Sequence, residues 1–132
     1  MTRPHLAFMT GKTWVAVAGA LWLWGCDDST VAEVTDSQAA AVDAASENLC
    51  DIFDACGNIG EGKTYASRSD CETNRKAFWN GKWPVESCDN HIHGDNLQAC
   101  LDAIETMDCN SLVDELRVIN GACAQDKVCA GE

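Results

Sequence analysis

Nine cysteines, three histidines and a surplus of carboxylates carry most of the chemistry open to this 132-residue chain. Eight of the cysteines, Cys50, Cys56, Cys71, Cys88, Cys100, Cys109, Cys123 and Cys129, are confined to positions 50–129. Thiols at that density oxidise to disulfides, hold metal, or exchange electrons. Zinc ribbons, thioredoxin-like redox sites and c-type haem attachment all use cysteines two residues apart, and no Cys-x-x-Cys occurs here. An even eight in a short chain is instead the usage of an exported, disulfide-stapled domain, and predicts four bridges.

His91-Ile92-His93, with Asp89 and Asp95 nearby, is the one constellation with metal-ligand chemistry. In extended backbone both imidazoles project to the same side, and a carboxylate could complete a zinc or copper site. The competing reading is a polar loop between Cys88 and a helix capped at Asp95, and it is preferred because the only other histidine is His5. The pair underlies the rival functional reading, a small metal-dependent or carboxylate-based enzyme. Carboxylates are too abundant here for any pair to stand out, and no Gly-x-Ser-x-Gly nucleophile elbow occurs. The expectation is no catalysis, no metal and no cofactor.

Gly57-Asn58-Ile59-Gly60-Glu61-Gly62-Lys63-Thr64 matches the phosphate-loop pattern G-x-x-x-x-G-K-[ST]. That motif needs a buried strand before it and a helix directly after, so that backbone amides and the helix N-terminus cradle phosphate. Here a helical pattern precedes it, the next capping signal waits until Ser69, and Glu61 would face the phosphates. The glycines are therefore expected to turn the chain between two helices, with no nucleotide bound. Phe78, Trp79 and Trp83 form the densest aromatic cluster. Exposed, they would stack on sugars or anchor a partner. Buried, they are the largest pieces of a thin core, which is the preferred reading, with Trp83 the more exposed tryptophan.

Acidic residues outnumber basic ones 21 to 9, a formal charge of −12, which excludes a phosphate-binding face and hence nucleic acid. The first residues run against this trend. Arg3 and Lys12 precede an uncharged run from Thr13 to Trp24, the n-region and h-region of an export signal. The run is too short for a permanent span, which needs roughly 20 apolar residues. It ends in Leu23-Trp24-Gly25-Cys26, which resembles the bacterial lipoprotein lipobox, departing from it at Trp24, where a smaller residue is usual. The resemblance implies a signal peptide over residues 1–25 and lipid on Cys26, with two or three acyl chains giving stable membrane anchoring. Parity agrees: setting Cys26 aside leaves the even eight. Removal of residues 1–25 takes Arg3 and Lys12 with it and leaves seven basic against 21 acidic side chains, a formal charge of −14. Such a domain is repelled by anionic lipid, so the acyl chains must hold it.

Residues 26–34 are polar and read as a lipidated tether, and residues 35–132 as one cysteine-rich helical domain. Thr35-x-x-Gln38 has the form of a capping box. Val42, Ala45, Leu49, Ile52 and Cys56 then make one apolar stripe, stopped by Gly57 as a left-handed cap. Ser69-x-x-Glu72 opens a second helix carrying Phe78 and Trp79, which Gly81 ends before Pro84. A third starts after Asp95 and puts Leu97, Cys100, Leu101 and Ile104 on one face. A fourth starts at Asn110 or Ser111, ends near Gly121, and puts Leu112, Leu116, Ile119 and Cys123 on one face. No segment alternates with period two, so the fold expected is an all-α bundle of about four helices. A core this lean struggles against conformational entropy, and four disulfides at ~2–4 kcal/mol each would offset the deficit.

Helix geometry prunes the connectivities. Cys50 and Cys56 would stand ~9 Å apart along one helix and Cys100 and Cys109 ~13 Å, beyond the ~7 Å reach of a bridge, and Cys109 and Cys123 flank a helix. Cys56 with Cys71 is the pairing favoured, as a clasp across the glycine-rich loop.

Cys56, Ile59-Gly60, Gly62-Lys63, Tyr65, Ser67, Cys71, Trp79 and the cysteines out to Cys129 resemble a family of small bacterial cysteine-rich lipoproteins labelled as natural-product-biosynthesis lipoproteins, over residues 49–129 plus the lipobox. The resemblance implies association with secondary-metabolite pathways and no reaction. The function expected is a lipid-anchored extracytoplasmic binding or accessory lipoprotein of the bacterial cell envelope. Its partner, protein or small molecule, and its membrane leaflet are left open.

Overall fold

The computed structural model describes residues 37–130. The expected signal segment, the lipobox with Cys26 and the tether to residue 34 lie outside the described residues.

Helix α1 (Gln38–Ala55) starts where the Ser37 hydroxyl accepts the amide of Ala40. The cap is Ser37, two residues beyond the expected Thr35. Serine is the stronger cap, and Gln38 is used inward instead of reaching back. Its side-chain amide donates to the Trp83 carbonyl at 2.7 Å and to Asn80 Oδ1 at 2.9 Å. The expected stripe is buried at Val42, Ala45 and Leu49, joined by Ala41 and Cys50. Gly57 then takes φ +70°, the left-handed stop expected of it.

Helix α2 (Arg68–Lys82) is capped by Ser67, whose hydroxyl accepts the amide of Asp70, while the Asp70 carboxylate accepts the amide of Ala66 at 3.1 Å. This start lies two residues before the expected Ser69 and Glu72, because Glu72 is engaged with Arg68 at 2.7 Å. The helix runs through Gly81 to Lys82. Gly81 lies in the last turn, and Trp83, the C-cap, stacks on Trp79 with ring centroids 4.5 Å apart. Both tryptophans are fully buried. The expected exposure of Trp83 is thus corrected: its indole N–H donates to the Cys123 carbonyl at 3.1 Å, which draws it inward.

A single turn, α3 (Val85–Cys88), leads to α4 (Gly94–Glu105), which buries Leu97, Cys100, Leu101 and Ile104 as the spacing predicts. Ser111 caps α5 (Leu112–Asn120), and Gly121 closes it. A Cβ at Gly121 would lie 2.4 Å from the Arg117 carbonyl oxygen, so the turn requires glycine. A last turn, α6 (Gln125–Val128), packs on α4. Among the described residues the sole β feature is an isolated bridge from Ile59 to Tyr65. The domain is all-α, as expected.

α1 packs against both α2 and α4. α2 is antiparallel to α1, since Lys76 meets Asp43 and Asn80 meets Gln38. α4 is parallel to α1, since Asp89 before it accepts the Gln38 amide while Cys109 after it is bonded to Cys56.

All eight cysteines from Cys50 onward pair, as Cys50–Cys71, Cys56–Cys109, Cys88–Cys129 and Cys100–Cys123. The three pairings excluded by helix geometry do not occur. The expected Cys56–Cys71 clasp is corrected: Cys71 sits a full turn inside α2, where the antiparallel crossing faces it to Cys50 at a Cα separation of 6.0 Å. Cys56, on the cap, is left to meet Cys109.

The fourth helix departs most from expectation. Ile119 and Cys123 are buried, but Leu112, Val113 and Leu116 are 67%, 67% and 50% exposed. Bridges from Cys109 and Cys123 fix both flanks of α5 to other helices. The Arg75–Glu115 pair, at 3.0 Å, turns the opposite flank of its N-terminal half inward.

Candidate functional site

Because α1 and α4 run parallel, both end at one pole of the bundle, and α5 starts there. Between them lies a cleft of about 280 Å³. Ile52 and Phe53 from α1, Met107 from the turn after α4 and Leu112 from α5 supply its apolar lining, and Arg75 and Glu115 its charge pair. The Arg75 guanidinium is packed among three rings, 4.6 Å from the centroid of Phe53, 5.6 Å from Tyr65 and 5.9 Å from Phe78. Cation–π attraction to Phe53 and Tyr65 holds Arg75 of α2 against α1 and the loop after it, and the bond to Glu115 ties α2 to α5. The Nε of Arg75 is buried with no hydrogen-bond partner in the protein.

The pole is acidic in a directed way. A helix C-terminus carries roughly half a negative charge, which basic residues in the last turn ordinarily offset. Neither α1 nor α4 has a basic residue there. Exposed Asp54 lies at the end of α1, exposed Glu105 ends α4, and exposed Asp108 follows it at the cleft wall. Side-chain charge and helix dipole therefore add. The basic groups held above their ordinary pKa lie on the α1–α2 face instead: Arg68 through hydrogen bonds to Glu72 and Asp51, Lys76 through its hydrogen bond to Asp43.

A second, more open hollow is lined by Lys82, Ser87, Asn120 and Gln125. Its polar groups satisfy one another, Lys82 donating to Asn120 at 3.1 Å and Gln125 to Ser87 at 2.9 Å.

The residues singled out in the sequence fall elsewhere. Cys26 lies outside the described residues. His93 caps α4, its Nδ1 accepting the Asn96 amide at 3.4 Å, and Asp89 is engaged with the start of α1. Among the described residues no three His, Cys, Asp or Glu are grouped to hold a metal ion. The glycine-rich loop leaves the end of a helix and passes through left-handed Gly57 and Gly62, and α2 begins only at Arg68. Lys63 is therefore not followed directly by a helix, as a phosphate loop requires. Phe78 joins the cage around Arg75. The Arg75–Glu115 pair had no signal in the sequence, because 40 positions separate its members. The apolar face of α5 did have a signal, a leucine pair four residues apart on the same expected face as Ile119 and Cys123.

Residues 50–131 match the model of a family described as a family of unknown function, DUF6184. That description mentions neither natural products nor lipoproteins. No curated protein and no solved structure matches the chain.

Proposed function

The chain belongs to the DUF6184 family, whose function is unknown, and from its own residues we propose a lipid-anchored, extracytoplasmic binding or accessory module of the bacterial cell envelope that performs no catalysis. The observation that carries this reading is the cysteine arrangement. Every cysteine from Cys50 to Cys129 is paired with another of that set, so Cys26, in its lipobox-like context, is left over for acylation. Four disulfides belong to an oxidising compartment. The resemblance to natural-product-biosynthesis lipoproteins adds association with a secondary-metabolite pathway to the proposal.

The placement of the cleft suits such a module. The tether would enter at Ser37, and α1 with its 18 residues extends about 27 Å at ~1.5 Å per residue before reaching the cleft. A domain held by lipid at one end would present the cleft at the other.

Metabolic labelling with a radioactive or alkyne-bearing fatty acid tests the anchor. The parent chain is expected to be labelled and to fractionate with membranes, and Cys26→Ser to lose both properties. Labelling that survives the substitution would end the lipoprotein reading. Alkylation without reductant tests the compartment: no thiol from Cys50 to Cys129 should react in chain recovered from cells.

A further inference from the structure

We propose that the pole formed by the ends of α1 and α4 and the start of α5 docks a basic, amphipathic segment of a partner protein. This deepens the proposed binding role and rests on it. Five large apolar side chains are substantially exposed among the described residues, and three of them, Leu112, Val113 and Leu116, sit together on α5. Leu112 also lines the cleft, so ridge and cleft form one continuous surface. α5 packs mainly on α4 and is held in place by the bridges on its flanks. Apolar residues fixed outward on a covalently braced helix form an anchor site for bulky side chains of a partner.

Charge selects the partner. Asp108 lines the cleft, exposed Asp54 and Glu105 lie at the ends of the two helices that form this pole, and the unoffset C-terminal dipoles of α1 and α4 reinforce them. Of the cations nearby, Arg75 is engaged with Glu115 and Arg117 with Asp114, and exposed Lys63, beside cleft-lining Thr64, is one positive charge against Glu61 in its own loop and the three acids of the helix ends. A segment with lysines or arginines beside leucine-like anchors complements both features. An anionic membrane is repelled by the same charges, and a second copy would bring the same acidic rim.

The test uses the exported full chain carrying Cys26→Ser, recovered in oxidised form. The probe is a fluorescent helical peptide of leucine and lysine at amphipathic spacing. The same peptide with glutamate for lysine, and with serine for leucine, serves as control. Anisotropy titration should show saturable binding of the first peptide alone, weakening steeply with salt as charges are screened. Replacing both Leu112 and Leu116 by Ser should weaken it about tenfold or more, as expected when central interface anchors are lost. Asp54→Asn with Asp108→Asn should weaken it and flatten the salt dependence. Val85→Ser, an exposed apolar position near the other pole, should change nothing. Retention of four disulfides by mass shows that each variant has formed its bridges. Binding of the glutamate or serine peptide equal to that of the first, or indifference to the α5 substitutions, would overturn the proposal. So would self-association of the parent that the paired serines abolish, which would mean a second copy covers this face. Fatty-acid labelling of the parent is read separately, so loss of the docking site leaves the lipoprotein reading standing, and the reverse.

Discussion

Trp79 and Trp83 on one side of the molecule, and Leu112 and Leu116 on the other, are both apolar pairs four residues apart, yet the tryptophans are fully buried and the leucines at least half exposed. The first pair is covered because α2 lies along α1 and its far end is drawn in by Gln38 and the Cys123 carbonyl. The second is uncovered because its helix is held by cystine at its flanks and by one ion pair beneath. Helical spacing states that a face is apolar. What covers that face is decided by contacts distant in sequence. The tryptophan end is stabilised by packing, and the α5 end chiefly by covalent bonds.

Trp83→Ala should break the packed end most severely. A buried Trp lost to Ala removes about 3–5 kcal/mol and leaves the Cys123 carbonyl without its donor, so a large fall in unfolding midpoint is expected in urea titration. A loss under about 1 kcal/mol would mean the stack is not the centre of the core.

Replacing Cys56 and Cys109 together by alanine should cost about 2–4 kcal/mol, with the damage concentrated at α5. Hydrogen exchange should show α5 amides losing protection while the α1–α2 amides keep theirs. Removing Cys50–Cys71 should cost less by roughly 0.8 kcal/mol in the chain-entropy picture, because its sequence separation is 21 against 53. The reverse ranking would place α5 among the packed elements.

At Gly57, valine should cost roughly 1–2 kcal/mol. No atom lies within 4 Å of a Cβ built there, and the penalty comes from φ +70° alone. Lys63→Ala in the same loop should stay within about 0.5 kcal/mol, and ATP should leave the melting temperature unchanged. A nucleotide-dependent rise would restore the phosphate-loop reading.

A comparably small effect is expected at the leucine pair. Leu116→Ser should shift stability by no more than about 0.5 kcal/mol, where a core leucine would cost ~2–5. The two scans, tryptophan and leucine, are thus the direct measure of the contrast.

Local chemistry was legible in the sequence. The α4 stripe, the Ser111 cap, the Gly57 stop and the pairing of eight cysteines all depend on residues within a turn or two, or on parity. Start points moved by two residues where a rival partner claimed the capping group, as Arg68 claims Glu72. The Cys56–Cys71 clasp failed because proximity across a loop says nothing of how far two antiparallel helices overlap. The cleft was invisible for the same reason, being assembled from Phe53, Arg75 and Glu115 on three different helices.

The cystine pattern also governs what a protease can release. Cys50–Cys71 closes one ring, while Cys88–Cys129 closes another with Cys100–Cys123 nested inside it, and Cys56–Cys109 alone links the two rings. Every peptide bond from residue 50 to residue 129 is therefore spanned by at least one cystine. A single nick anywhere in that stretch yields two fragments that stay joined until a reductant reaches them. Between Cys71 and Cys88 only the cross-link from Cys56 to Cys109 performs that service, so its loss would let one cut there separate α5 from the ring that holds the end of α1.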